Sequence, residues 1–397
     1  MMREQKLFLA LLRDHIHSTA TAEITEGIDW EQLFSYAEEQ SLCGVCYVQL
    51  KALAGSGKHI PEEILEKFHQ GFFYDCYASA NRQAYMKEAE ALLQEADIPF
   101  QPFKGWILKD YWPVPELRTM GDIDLLIHTT DRDSSNAIMQ ELGFQRLVDN
   151  HAVWTYYAKD IIFELHDHMF YEHLTNEVDY PAYFDRAWDY VGQELWESFH
   201  FLYLITHLAK HTINKGMGFR AYLDLIFFCR TAEERLQWDW IFRELERLKL
   251  RSFAETCFVF CRAWFGYQIP ESSGRLDNSF YRFVTDKLFN DGTFGLENGQ
   301  NEAAGSAKEI SHSRAPYWLG AITLTVRRLF PPYEDMQLIP WYSFVDGRPW
   351  LLPAAWIYRW WYSLTHKRVQ GEKLLLEPFR KKEMIEKRQK LIRDWGL

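Results

Sequence analysis

Apolar residues recur every three to four positions through residues 1–95, for example around Phe8 and around Phe68. This period is typical of amphipathic helices, so the segment is predicted to be an N-terminal helical region. Three residues stand where helices are expected to begin: Asp29, Ser41 and Pro61.

The pattern changes near Asp97 and predicts a compact α/β core over residues 96–178. Residues 98–103 form a short apolar run typical of a strand, and Pro99 and Pro102 would confine that strand to a sheet edge. Helices are predicted over 104–111 and 134–142, and strands in MGDIDLLIH at 120–128 and over 144–147, 152–158 and 161–166. The chain is therefore expected to have an α+β fold, with a small mixed sheet embedded between helical regions.

Helical spacing returns over residues 179–290, which are predicted to form a helical domain. Residues 291–316 are rich in Gly, Asn, Ser and Ala and are predicted to be a flexible loop. Residues 317–397 form a C-terminal, aromatic-rich helical region. It contains a cluster of tryptophans around one arginine: Trp350, Trp356, Arg359, Trp360 and Trp361. Packing between helices is the favoured interpretation of this cluster, and a stacking platform for a base or sugar is the alternative.

Charge narrows the classes of partner. The formal net charge of -12 over 397 residues argues against a broad surface for duplex nucleic acid, which needs clustered positive charge. From Lys367 onwards, however, the chain has ten Lys and Arg against five Asp and Glu. This basic tail is interpreted as a solvated amphipathic helix, with contact to a partner or to anionic lipid as the alternative.

The sequence also indicates a compartment. The N-terminal stretch MMREQKLFLALLRDH interrupts its apolar residues with charges, unlike a signal peptide, and the apolar window at 350–364 is shorter than the roughly 20 residues that cross a bilayer. A cytoplasmic protein with no transmembrane segment is therefore expected. Cys43 and Cys46 form a CxxC with no second pair at zinc-ribbon spacing, so buried reduced thiols are favoured over a metal or redox site.

Carboxylates are the first candidates for chemistry. In GDIDLLI, strand alternation places Asp122 and Asp124 on one face, where two like charges require a positive partner. A divalent cation suits this pair, although two solvent-facing aspartates at a strand end would show the same pattern. Downstream, IIFELHDH places Glu164 and His166 on one face of another apolar strand, and a third carboxylate would complete a two-metal ligand set. Glu164 facing away from the two aspartates, or a lysine filling the gap among the three carboxylates, would overturn the enzymatic hypothesis.

Phosphate-binding candidates precede the carboxylates. Lys104 and Gly105 stand at a predicted strand-to-helix junction, where a glycine lets the backbone approach a phosphate and a helix start favours an anion. Arg118, four residues before Asp122, has the planar fork that binds phosphate oxygens bidentately. The alternative for Lys104 is an exposed lysine at a helix start.

These motifs resemble a known superfamily. The order FKG at 103–105, RTMGDIDLLI at 118–127 and FELH at 163–166 is similar to the core of DNA polymerase β-type nucleotidyltransferases. Within that superfamily, it resembles a poorly characterised bacterial nucleotidyltransferase-like family with the pattern LKG…R…DIDLL…ELH. The segment HLAKHTINKGMGFRAYLDLIFF at 207–228 resembles the family's helical region, so the likeness covers about residues 95–230. The wider superfamily has Gly-Ser or Gly-Gly where this chain has Lys104-Gly105, and the seventeen positions from Gly105 to Asp122 exceed its usual interval.

The resemblance implies transfer of a nucleoside monophosphate from an NTP, such as ATP, to an acceptor that is a small molecule, sugar, peptide or protein. Two Mg²⁺ ions would be held by the three carboxylates, Asp122, Asp124 and Glu164. Nucleotide phosphates would be bound by four further residues: Lys104, Gly105, Arg118 and His166. Residues of the helical segment would support the site or face the acceptor: Lys210, His211, Arg220 and Asp224. For Asp224 the alternative is a structural i, i+4 pair with Arg220.

Two other functions stay open. A catalytically inactive nucleotide- or peptide-binding accessory protein would keep this fold and lose turnover. A scaffold that acts through its helical ends and basic tail would make no use of the carboxylates.

Overall fold

The computed structural model describes residues 1–149, 153–175, 177–214, 216–270, 274, 276–291, 317–333, 336, 340–345, 347–365 and 382–397. The chain divides into two compact units. The first consists of Met1–Thr212, Gly216–Leu296 and Trp395–Leu397, and the second of Ile213–Lys215 and Glu297–Asp394. The predicted loop at 291–316 lies, after its first residue, outside the described residues, as does 366–381 at the start of the basic tail. The division of the chain into five segments, drawn from the sequence, stays a prediction.

The N-terminal region is helical, as its apolar spacing predicted. Its helices are α1 (Arg3–His17), α2 (Trp30–Glu39), α3 (Cys43–Gly55) and α4 (Glu62–Glu95). Asp29 caps α2, because its side chain accepts a hydrogen bond from the backbone N–H of Gln32. Pro61 directly precedes α4, also as predicted. The predicted start at Ser41 is wrong by two residues, since α3 begins at Cys43 and Ser41 itself has a left-handed φ of 54°.

Five strands form one mixed sheet in the order β1-β2-β5-β4-β3. They are β1 (Phe100–Phe103), β2 (Asp122–Ile127), β3 (Gln145–Asp149), β4 (Val153–Ala158) and β5 (Ile161–His166). The pair of β2 and β5 is parallel and the other pairs are antiparallel. Strand β1 lies at the edge that its prolines predicted, because proline offers the ladder no N–H. The sheet and its flanking helices confirm the α+β fold.

The helices of the core differ slightly from the predicted ones. Where one helix was expected over 104–111, the chain forms α5 (Gly105–Leu108) followed by a 3₁₀ turn at Lys109–Tyr111. The helix predicted over 134–142 is α6 (Arg132–Glu141), which joins β2 to β3.

Strand alternation separates an apolar face from a polar one. Ile123 and Leu125 of β2 and Phe163 and Leu165 of β5 are buried in a hydrophobic cluster that also contains side chains of α4 and α6. Because successive side chains of a strand point to opposite faces, the neighbouring residues of β2 and β5 point away from this cluster. The polar face that results carries the candidate site.

The rest of the described first unit contains helices, as predicted for residues 179–290. It contains α7 (Tyr180–Phe184), α8 (Ala187–Tyr190), α9 (Trp196–Asn214), α10 (Phe219–Thr231), α11 (Trp238–Arg247), α12 (Arg251–Phe265) and α13 (Asn278–Asp291). Aromatic rings fill the space between these helices. Trp264, for example, is fully buried and lies against Phe219, Tyr222 and Phe260.

The described part of the second unit includes α14 (Tyr317–Leu329), α15 (Leu352–Thr365) and α16 (Lys382–Asp394). Trp356 and Trp360 of α15 donate hydrogen bonds to backbone carbonyls and meet Phe330 edge to face. Trp350 and Trp361 are exposed. Two of the four tryptophans thus pack within the unit, as the favoured interpretation proposed.

Two expectations from the sequence concern cysteines and membranes. Cys43 and Cys46 are buried free thiols, and burial raises the pKa of Cys43 to about 12, so this thiol is neutral at pH 7. Among the described residues, no helix combines the length and the apolar character needed to span a bilayer.

A buried histidine makes stability depend on pH. His200 of α9 is fully buried against Trp196 and Phe228, and neither ring nitrogen has a hydrogen-bond partner among the described residues. Burial lowers the pKa of His200 to about 3, whereas an unfolded histidine titrates near 6.5. The unfolded state therefore binds more protons between about pH 6.5 and 3, and the stability lent by neutral His200 is lost as pH falls through this window.

His200→Phe is expected to remove this dependence. The free energy of unfolding of His200→Phe minus that of the unmodified protein should be about 2 kcal/mol larger at pH 5 than at pH 8. Urea unfolding at both pH values measures it, and His59→Phe, at an exposed position of the same unit, is the matched control. If His200→Phe and the unmodified protein lose equal stability between pH 8 and pH 5, His200 does not bind its proton preferentially in the unfolded state.

Candidate functional site

The parallel pairing of β2 and β5 builds the site. Its register sets Asp124 opposite Glu164, so Asp122, Asp124, Glu164 and His166 share the polar face of the sheet. Ligand atoms of Asp124, Glu164 and His166 all lie within 4.8 Å of one another. We call these three residues the acidic cluster. Asp122 lies on the same face, two residues before Asp124, and is not part of this group.

Asp124 is the centre of the acidic cluster and is only 1 % exposed. Its Oδ1 accepts hydrogen bonds from Lys104 Nζ at 2.6 Å and from His166 Nε2 at 2.8 Å. Burial would raise the pKa of Asp124, but Lys104 and His166 outweigh burial and lower it to about 2. Its Oδ2 is buried and has no hydrogen-bond partner in the described part of the chain. Asp124 is therefore an anion whose Oδ2 can still bind a ligand.

Glu164 and His166 extend the cluster along β5. The His166 Nε2 atom lies 3.3 Å from Glu164 Oε2, and His166 Nδ1 is buried with no hydrogen-bond partner among the described residues. The Glu164 side chain is 25 % exposed, so it is the member of the cluster that solvent and a ligand reach most readily.

Asp122 and Asp124 differ in acidity. The pKa of Asp122 is raised to about 6, first by the charge of Asp124 and then by burial, against the opposing effect of Lys104. Two neighbouring carboxyls on one face thus share an excess of negative charge that the protein only partly neutralises.

Lys104 is the protein's own cation at this site. Burial would lower the pKa of Lys104, but the charge of Asp124 at 2.6 Å raises it well above the usual value, so the side chain stays charged. Its backbone has φ 50° and ψ -129°, a region that favours glycine and costs another residue of the order of 1–3 kcal/mol. Of the two findings that would overturn the enzymatic hypothesis, Glu164 facing away is not seen, because Glu164 shares the face of Asp124. A lysine does lie beside Asp124, but it contacts Oδ1, and Asp124 Oδ2 has no hydrogen-bond partner among the described residues.

Gly105 and Arg118 belong to one packing unit. A Cβ added to Gly105 would lie 2.8 Å from Arg118 Nη1, so the glycine gives room to the guanidinium. Arg118 is 7 % exposed and donates from Nε and Nη2 to both carboxylate oxygens of Asp224, at 3.0 and 2.9 Å. Trp112 also donates to Asp224, at 2.8 Å. The guanidinium proposed as a phosphate clamp is thus engaged with α10.

Arg220 does not form the hydrogen-bonded i, i+4 pair with Asp224. Its Nη1 donates instead to the carbonyl oxygen and the hydroxyl of Thr119, at 2.9 and 2.8 Å. Burial, and next the charge of Arg118, lower the pKa of Arg220 to about 10. Arg220 therefore holds the segment that leads into β2.

Lys210 and His211 lie on α9. Lys210 forms an ion pair with Glu172 at 3.1 Å, and His211 Nε2 lies 3.2 Å from His207 Nε2. Burial lowers the pKa of Lys210, with Glu172 opposing, and the charges of Lys104 and Glu164 also act on it. This helix therefore adds a second cation beside the acidic cluster.

Arg82 of α4 was not predicted from the sequence to belong to the site. Burial lowers the pKa of Arg82, while the charges of Tyr74, Asp122 and Asp75 oppose that effect, so this guanidinium lies in the electrostatic field of the site. The available signal was the spacing of Asp75 and Arg82, which puts two opposite charges on one face of a predicted helix.

A mixed five-stranded sheet with carboxylates and an imidazole gathered on one face defines an α+β protein with a candidate metal centre. The model of a family described as uncharacterised nucleotidyltransferase matches residues 26–266, and the chain belongs to this family. No curated protein and no solved structure matches the chain. The family resemblance inferred from the motifs is confirmed, and membership supports nucleotidyl transfer as the general reaction.

Proposed function

We propose that this protein is a divalent-metal-dependent nucleotidyltransferase of the cytoplasm that moves a nucleoside monophosphate from an NTP to a hydroxyl group of an acceptor. The observation that carries the proposal is the acidic cluster, in which three potential ligand atoms lie within 4.8 Å and one buried carboxylate oxygen has no hydrogen-bond partner among the described residues. A buried unsatisfied oxygen is costly, and a cation is its natural partner.

The donor set fits the proposed cofactor. Carboxylate oxygens suit Mg²⁺, and Asp122, Asp124 and Glu164 would hold two such ions. The nearby imidazole of His166 is a ligand that Mn²⁺ accepts more readily than Mg²⁺, so both ions belong in the assay. When bound, the metal would polarise the acceptor oxygen and neutralise charge on the phosphates.

The chain's own residues supply positioning and proton transfer. The acceptor oxygen forms a bond to the α-phosphorus while the bond from that phosphorus to the bridging α–β oxygen breaks, and pyrophosphate leaves. The hydroxyl proton passes to the Glu164 carboxylate, which is partly exposed. Lys104 and Lys210 offer positive charge to the phosphates, and His166 keeps Asp124 oriented through the 2.8 Å hydrogen bond.

A second candidate is a protein that binds a nucleotide without turnover. One observation favours it: Lys104 and Arg118, both proposed as phosphate ligands, already form ion pairs with Asp124 and Asp224. A nucleotide would have to compete with these internal partners.

Calorimetry and a pyrophosphate assay test the proposal. We expect at least one NTP to bind in the presence of Mg²⁺ or Mn²⁺ and much more weakly with EDTA. Pyrophosphate release should follow when the small-molecule fraction of a bacterial lysate is added. Glu164→Gln should lower release at least 100-fold, within the usual range for a lost general base, whereas Asp133→Asn, at an exposed position of α6, should not.

The outcomes separate the candidates. Metal-dependent binding without pyrophosphate release supports the second candidate. If no NTP binds in a metal-dependent way, both candidates are wrong and the scaffold function becomes the favoured alternative.

A further inference from the structure

A pocket lies between α2, the start of α3, α4 and residues 118–120. We call it the α4 pocket; its volume is about 290 Å³, near the lower end of small-molecule sites. The lining residues that matter here are Tyr74, Asp75, Ala78, Ser79, Arg82 and Thr119. A cavity of this size admits a small molecule and excludes a folded protein or duplex nucleic acid.

One face of α4 forms the floor of the pocket. Asp75, Ala78, Ser79 and Arg82 follow the i, i+3, i+4, i+7 spacing of a single helical face. The two charged residues are about 10 Å apart along the helix axis. Between them stand only an alanine and a serine, whose small side chains leave the floor open.

The two charged residues of the floor have unused hydrogen-bonding atoms. Asp75 Oδ2 and Arg82 Nε are both buried and lack a hydrogen-bond partner among the residues that the structure describes. No ion pair within 4.0 Å joins them. Burial raises the pKa of Asp75 to about 6, against the Gly44 amide and the charges of Arg220 and Arg82. Both side chains line the pocket and are only partly buried, so a carboxylate and a guanidinium on its floor are complementary to a ligand that donates to Asp75 and accepts from Arg82.

Arg82 lies in the electrostatic field of the proposed reaction centre. Asp122 is among the charges that act on Arg82, and Met120, two residues before Asp122, lines the pocket. The charges of Asp122 and Asp75 both act to raise the pKa of Arg220. A ligand in the α4 pocket therefore lies next to the residues that lead into β2.

We propose that the α4 pocket binds the acceptor, a small molecule that carries a hydroxyl or amine donor for Asp75 and presents its reacting hydroxyl at the Arg82 end. The role as acceptor rests on the proposed nucleotidyl transfer, whereas binding of such a molecule does not. Tyr74, an exposed side chain at the rim, offers a ring against which the ligand packs.

Two variants test the pocket directly. Ala78→Phe fills the floor, and Ala80→Phe adds the same side chain at an exposed position of the same helix as the matched control. Asp75→Ala removes the proposed partner of the donor without adding bulk. Circular dichroism and thermal unfolding check that each variant of the full chain remains folded.

The probes are glucose, glucosamine, glycerol, serine and ethanolamine, measured by ligand-observed NMR at millimolar concentration. At least one should bind the unmodified protein and Ala80→Phe, bind Asp75→Ala about tenfold more weakly, and not bind Ala78→Phe. Asp75→Asn should retain a hydroxyl ligand and lose an amine ligand, which identifies the donor. The inference is overturned if no probe binds the unmodified protein, or if Ala78→Phe binds as well as Ala80→Phe.

Nucleotide binding measured in parallel keeps this inference separate from the proposed function. Ala78→Phe should retain metal-dependent NTP uptake, because the pocket does not include the acidic cluster. If the unmodified protein binds a probe but takes up no NTP, only the proposed function is contradicted. If it takes up NTP but binds no probe, only the proposed acceptor pocket is contradicted.

Discussion

Replacing Asp124 by Asn is expected to lower the free energy of unfolding by about 3–5 kcal/mol and to abolish product formation. The stability loss follows from Lys104, whose ammonium lies 2.6 Å from Asp124 and would stay in the buried site without that partner. The His166 hydrogen bond at 2.8 Å is weakened at the same time. Guanidinium unfolding measures the first effect and the pyrophosphate assay the second.

The single variant cannot separate chemistry from folding, but a double variant can. Asp124→Asn with Lys104→Met removes both members of the ion pair, so most of the lost stability should return, as it does when a buried pair is replaced as a unit. Product formation should not return, because the central carboxylate is still missing. Lys104→Met alone keeps Asp124 and is the matched control: NTP uptake should be weaker in it, because one positive charge for the phosphates is missing, but it should still depend on the metal. A folded double variant with full activity would contradict the role proposed for Asp124.

Local sequence patterns predicted most of the sheet because each strand carries its own signal. The run DIDLLI is apolar enough to be buried, and the two prolines near β1 allow only an edge position. The errors fall where backbone geometry overrides local preference. Ser41 adopts a left-handed φ instead of starting α3, and the helix expected over 104–111 tightens into a 3₁₀ turn after Leu108.

Strand alternation predicted which residues share a face of one strand, but it did not predict how the two strands pair. Alternation puts Asp122 and Asp124 on one face, and Glu164 and His166 on one face of their own strand. That the two faces coincide depends on the parallel register of β2 and β5, which no local signal encodes. The α4 pocket was not predicted for the same reason, since it is made by packing of α2, α4 and residues 118–120, which are distant in the sequence.

The structural partner of Arg118 could not be predicted from the local sequence either. From the sequence its position before Asp122 favoured a phosphate ligand, but the structure pairs it with Asp224, 106 residues away. Both partners are nearly buried and the pair is bidentate, so Arg118→Ala should lower the free energy of unfolding by about 3–5 kcal/mol. Arg118→Lys should recover little of it, because an ammonium cannot donate from two nitrogens in a fixed plane.

The same variants decide between the two roles of Arg118. A structural pair predicts that urea unfolding detects the loss equally with and without NTP and Mg²⁺. A phosphate clamp predicts instead a small change in stability and a large loss of NTP affinity. Arg118→Ala with Asp224→Asn is the control, because removing the carboxylate charge as well should restore part of the stability only if the pair is structural. Since Arg118 directly precedes the segment that Arg220 holds through Thr119, loss of the pair should also disturb the start of β2 and thus the position of Asp122.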